Sequence, residues 1–145
     1  MRRSRLFRGM KQIMTTELTM LVYSVALLIV LVVIQAAAGV RAQGFKALAG
    51  SRDALPEPGV FQARAKRVVD NHREGLTIFA PLILVAALAH VSSGWTVIGA
   101  QMFFFSRVAH AAVYLAGLPM IRPLIYGVGV AGTLMILLRL LGLGG

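Results

Sequence analysis

Arginine, asparagine, glutamate and tyrosine recur at helical intervals in three separate stretches of this chain. Arg64, Arg67, Asn71 and Glu74 stand at i, i+3, i+7 and i+10, a spacing that sets all four on one face of an α-helix. Arg107 and Tyr114 are seven residues apart with His110 between them, and Arg122 precedes Tyr126 by four. The planar guanidinium grips carboxylates through two parallel bonds. With Arg41 added, four or five arginines face one or two acids, an excess of positive charge around Glu74. Such a group suits a small anion with several carboxylates, and Glu74 and Asn71 could receive an ammonium or amide on the same molecule. The chain has no cysteine, so a thiolate nucleophile, a disulfide framework and a thiolate metal site are all excluded. No metal is expected.

The elements that position these residues are read from hydropathy. Of 145 residues, 58% are hydrophobic and 14% charged, against roughly half and a quarter in ordinary soluble domains. Residues 18–40 run without a charge, and roughly 20 helical residues cross a ~30 Å hydrocarbon core. The spacing predicts helices over about 17–41, 63–90, 95–118 and 122–141: an all-α membrane protein, a four-transmembrane-helix bundle in one domain, 16–142, after a basic segment, 1–15. Pro81 is expected to kink the second helix. Residues 41–62, with Gly44, Gly50, Asp53, Pro56, Pro58 and Gly59, read as a loop. Arg122 and Arg139 bracket 16 uncharged residues and, at 1.5 Å per residue, lie about 25 Å apart, which suits snorkelling to opposite interfaces.

Four crossings place the first loop and the third connection on one side. Arg64, Arg67, Asn71 and Glu74 then lie in the near half of helix two, Tyr114 and the deeper Arg107 in helix three, and Arg122 and Tyr126 at the start of helix four. Arg41, ending helix one, reaches the same level. Charges inside a bilayer are costly and normally have a partner or a function. Individually each has a plainer explanation: interfacial anchoring for Arg64, Lys66 and Arg67, a buried ion pair for Glu74 with Arg107, belt aromatics for Tyr114 and Tyr126, packing for His110. Anchors alone have no reason to share faces across three helices.

The net charge is +10, from 15 Lys+Arg against 5 Asp+Glu. The basic residues flank or enter apolar runs and no basic–aromatic nucleic-acid motif accompanies them, so membrane lipid or an anionic small molecule, not nucleic acid, is the expected partner. The first loop is basic (Arg41, Lys46, Arg52, Arg64, Lys66, Arg67) and so is the N-terminus (Arg2, Arg3, Arg5, Arg8, Lys11). A true start at Met14, or a foreign origin for 1–13, would remove the second block and leave the first loop cytoplasmic.

The motifs resemble the MAPEG family, membrane-associated proteins in eicosanoid and glutathione metabolism, and its prokaryotic members in particular. The resembling segments are Arg64-Ala-Lys-Arg67-Val-Val-Asp-Asn71-His-Arg-Glu74, Arg107-Val-Ala-His110-Ala-Ala-Val-Tyr114 and Arg122-Pro-Leu-Ile-Tyr126, within about 16–142. The resemblance implies a homotrimer in the bacterial plasma membrane, with glutathione as co-substrate held between subunits on the cytoplasmic side. It further implies an enzyme that joins glutathione to a lipophilic electrophile or reduces a lipid peroxide. Carried over by motif, Arg64, Arg67, Asn71, Glu74, Arg107 and Tyr114 would contact glutathione, Arg41 would come from the adjacent subunit, and Arg122 and Tyr126 would be catalytic. Asp70 stands where several eukaryotic members carry another arginine. Two other functions fit the residues: a small multidrug-type transporter using Glu74, which the surrounding arginines disfavour, and a non-catalytic trimer that binds lipid or a partner protein.

Overall fold

A computed structural model describes residues 14–50 and 57–143. The basic residues Arg2 to Lys11 and the loop residues Arg52, Asp53 and Pro56 lie outside the described residues. Among those described, the structure is entirely helical: α1 (Thr16–Gln43), α2 (Phe45–Ala49), α3 (Val60–Leu88), α4 (Gly94–Ala116) and α5 (Arg122–Leu140).

Local chemistry sets the ends of these helices. The Thr15 hydroxyl accepts from the Leu18 amide at 3.3 Å and caps α1. Ser93 and Thr96 exchange bonds as a capping box at the start of α4. Gly117 ends α4 with φ 83°, the left-handed conformation that glycine adopts without steric cost. Pro123 sits in the first turn of α5, where its missing N–H costs nothing. α3 runs unbroken through Pro81.

The stretch read as loop, 41–62, is partly helical. α1 continues to Gln43, and Gly44, at φ 81°, redirects the chain. Alanine and leucine, good helix formers, then close the short α2. Glycine here reorients helical structure rather than ending it.

Consecutive long helices pack antiparallel around a core of Met20, Phe79, Ile83, Ala100, Phe103 and Ile136, all buried. The Phe79 and Phe103 rings stack at 3.9 Å and 8°. A second cluster joins Leu31, Val68, Val69 and Ala111. A polar tie fixes α1 to α3: His72 Nε2 donates to the Ser24 carbonyl at 2.8 Å. A carbonyl only accepts, so the proton resides on Nε2. α4 and α5 approach most closely at Gly99 and Gly132, where a Cβ on either would lie 2.5 Å from the other's carbonyl oxygen. Among the described residues two helices, α1 and α5, are long and apolar enough to cross a membrane. α1 leaves Val22, Val25, Ile29 and Val33 exposed along its length, an apolar stripe that water would oppose and hydrocarbon would accept.

Candidate functional site

The α3, α4 and α5 residues with chemical potential meet where α3 and α5 begin and α4 ends. Arg107 is at the centre, 4% exposed. Its Nη1 donates to Asn71 Oδ1 at 2.9 Å. Its guanidinium carbon lies 4.8 Å from the centroid of Tyr126 and 5.0 Å from that of Phe103, so two aromatic faces compensate a cation removed from water. Its Nε has no hydrogen-bond partner.

Two glycines make room for this buried guanidinium. A Cβ at Gly75 would lie 2.8 Å from Arg107 Nη2 and 2.9 Å from its Cζ, and one at Gly129 would meet Ser106 and come to 3.6 Å from Arg107 Nε. Glycine within a helix costs about 1 kcal/mol relative to alanine, so its presence opposite a buried arginine marks a slot for that side chain. Neither glycine carries a signal in the sequence, since its role depends on the side chain that packs opposite it.

A second arginine–tyrosine pair adjoins the first. The Arg122 guanidinium carbon sits 4.1 Å from the centroid of Tyr114, and Arg122 Nε donates to the Leu118 carbonyl at 2.9 Å. His110, buried, links the pairs, with its ring 5.5 Å from Tyr114 and 6.2 Å from Tyr126. Arg64 reaches the end of α4, where its guanidinium packs against Gly117. Any Cβ at that position would collide with it, a second reason for glycine there.

Three expected site residues stand outside this cluster. Glu74 and Arg67 are exposed on α3. Arg67 lines a groove of about 810 Å³ between α1 and α3, together with Gln35, Gln62 and Lys66. Arg41, also exposed, lines a separate, mainly apolar cavity of about 760 Å³ with Ile34, Ala38, Phe61 and Gln62. The alternative of a Glu74–Arg107 ion pair does not hold: Arg107 bonds Asn71, and the ion pairs among the described residues are those of Asp70 with Lys66 at 2.6 Å and Arg73 at 2.8 Å. Glu74 lies too far around α3 to follow Asn71 inward.

Asn71 and Asp70 are adjacent yet should respond differently to mutation. Asn71→Leu removes the 2.9 Å hydrogen bond to a buried guanidinium and is expected to destabilise the protein by about 1–3 kcal/mol. Asp70→Ala breaks exposed ion pairs and should change stability by less than about 1 kcal/mol. Thermal unfolding in detergent measures both, and equal losses would show that the Arg107–Asn71 bond contributes nothing special.

The arrangement offers a face on which the charge of Arg122, two phenols and a buried second guanidinium converge. It can bind a carboxylate-rich anion and stabilise negative charge beside Arg122. A family model described as the MAPEG family matches residues 20–142, which includes every site residue named above. No curated protein and no solved structure matches the chain.

Proposed function

The chain belongs to the MAPEG family, and on that premise we propose that it is a glutathione-dependent membrane transferase or peroxidase acting on lipophilic electrophiles. The observation that carries the proposal is the pair of guanidinium–tyrosine contacts, Arg107 on Tyr126 and Arg122 on Tyr114, joined through His110. Glutathione has two carboxylates and one ammonium. The arginines match the carboxylates, and Glu74, free of any ion pair among the described residues, matches the ammonium.

The chemistry follows from the charges. A free thiol has a pKa near ~8.5, and adjacent positive charge favours the thiolate. Arg122 does not give up its proton usefully, so its role is electrostatic: it holds the sulfur as thiolate while Tyr126 or Tyr114 donates a hydrogen bond. The thiolate attacks the electrophilic carbon of a substrate dissolved in the bilayer. A carbon–sulfur bond forms and the leaving group departs with its electron pair. With a lipid hydroperoxide, sulfur attacks the distal oxygen. The O–O bond breaks, the lipid alcohol takes a proton, and a second glutathione resolves the sulfenic acid to glutathione disulfide and water.

The proposal takes all four long helices as spans, α3 and α4 crossing with their polar residues turned inward. It also takes three copies as the working unit. The exposure of Arg41, Arg67 and Glu74 in a single chain supports that reading, since a site shared between subunits leaves part of its ligand set uncovered in each one. The localisation proposed is a bacterial plasma membrane with the first loop cytoplasmic.

Isothermal titration of the detergent-solubilised protein with glutathione tests the proposal. Saturable binding with Kd at or below about 1 mM is expected. Glu74→Gln should weaken it by about 10- to 100-fold, the range of a charge-assisted hydrogen bond. Absence of binding, or full affinity in Glu74→Gln, would remove the assignment.

A further inference from the structure

The end of the bundle away from Arg107 and Arg122, where α1 and α4 begin and α5 ends with Arg139 in its last turn, holds a second polar site built around Glu17, an acid in the first turn of α1. It is 2% exposed. Its Oε1 accepts from Thr96 Oγ1 at 2.6 Å and from Ser92 Oγ at 2.9 Å. Its Oε2 is buried with no hydrogen-bond partner. Glu17 makes no ion pair among the described residues, whose ion pairs all involve Asp70. A cavity of about 330 Å³ lies against it, with Thr15, Ser92 and His90 as its other polar side chains and with apolar walls from Leu18, Ile83 and Ala87.

We infer that this cavity binds a primary ammonium carried on an apolar body, with the ammonium on Glu17 Oε2. A buried carboxylate oxygen without a donor needs a proton donor or a cation to offset its desolvation. The size of the cavity decides between cations. A water-sized ion fills only about 30 Å³, whereas 330 Å³ falls at the lower end of small-molecule pockets. The walls are aliphatic apart from the His90 ring, and among the described residues no group of three or more His, Cys, Asp or Glu gathers to ligate a metal. An ammonium supplies three donors: one for Oε2, and others for the hydroxyl oxygens of Thr15 and Ser92. Hydrocarbon attached to it would lie along Leu18, Ile83 and Ala87. The level, at the ends of α1, α3 and α4, is where an aminophospholipid headgroup or a free amphiphilic amine would reach the protein.

Thermal unfolding of the whole protein in maltoside detergent, followed by circular dichroism, tests this with octylamine and octanol as probes. Octylamine is expected to raise Tm by about 3 °C or more near saturation, and octanol by much less. Glu17→Gln should abolish the octylamine shift. Ala87→Trp, which fills the cavity and leaves the carboxylate in place, should abolish it as well and serves if Glu17→Gln does not fold. A parallel measurement in nanodiscs of phosphatidylethanolamine against phosphatidylcholine separates the sources. An ethanolamine-specific, Glu17-dependent gain identifies lipid as the occupant, and octylamine stabilisation without it identifies a free amine. No octylamine shift, an equal shift with octanol, or a shift retained in Ala87→Trp overturns the inference. Glutathione titration is unaffected by either variant if the two sites are independent, so failure here leaves the glutathione proposal standing.

Discussion

Arg122→Ala is expected to lower the rate of conjugation to chlorodinitrobenzene by about 10²–10³-fold, the usual loss when one stabiliser of developing or resident negative charge is removed. The geometry makes this residue a poor candidate for a mere anchor. Its Nε is fixed by the Leu118 carbonyl at 2.9 Å, and its guanidinium face is held 4.1 Å from the Tyr114 centroid. A side chain constrained at both its stem and its plane loses little freedom when substrate arrives, which is how preorganised charge acts on a barrier. Glutathione affinity should fall far less than the rate, because the carboxylate contacts assigned to Arg67 and Arg107 remain. The thiolate absorbance expected near the ultraviolet edge when glutathione is added to the wild type should be absent in the variant. Arg122→Lys should recover part of both signals, since a lysine restores the charge but not the fork or the stacking. Unchanged turnover in Arg122→Ala, with helix content intact, would end the enzymatic reading.

The sequence carried much of this site because helical spacing is rigid. Arg107, Asn71, Tyr114, Arg122 and Tyr126 could be assigned to faces from their intervals alone, and the structure brings these five together. What intervals do not encode is how far a face turns from its neighbours. Arg67 and Glu74 share a stripe with Asn71 by periodicity, yet they are exposed while Asn71 turns inward to Arg107. The stripe is wider than the contact, and only the packing angle of α3 against α4 decides which part is covered. Gly75 and Gly129 were illegible for the complementary reason: a missing side chain has no pattern of its own and gains meaning only from Arg107 opposite it.

Glu17 was overlooked because it precedes the apolar run and reads as an ordinary first-turn acid, favourable to the helix dipole wherever it points. Its burial depends on Ser92 and Thr96, 75 and 79 residues away. The loop assignment over 41–62 erred through a different route. Glycine signals in a sequence suggest absence of structure, whereas Gly44 at φ 81° permits two helical segments to follow one another.

Gly132→Val should produce the largest loss of stability, about 3 kcal/mol, toward the upper end for overpacking a close contact. A Cβ at this position would meet the Gly99 carbonyl oxygen at 2.5 Å, Met102 Cβ at 2.9 Å and the Phe103 amide at 3.2 Å. Two of those neighbours are backbone, so no side-chain rotation relieves the clash and α5 has to move away from α4. Small residues at such crossings are what allow helices to associate where lipid supplies no hydrophobic drive. The displacement also reaches the site: Tyr126, Gly129 and Gly132 lie on one face of α5, and the first two contact Arg107 and Ser106. Gly132→Val is therefore expected to lower Tm by several degrees and weaken conjugation together. Gly127→Ala is the matched control. It adds the same first atom where nothing lies within 4 Å, and by helix propensity alone it should hold or raise stability by about 0.5–1 kcal/mol. Equal melting temperatures for Gly132→Val and the wild type would mean that α4 and α5 do not need this approach, and that the slot holding Arg107 owes nothing to it.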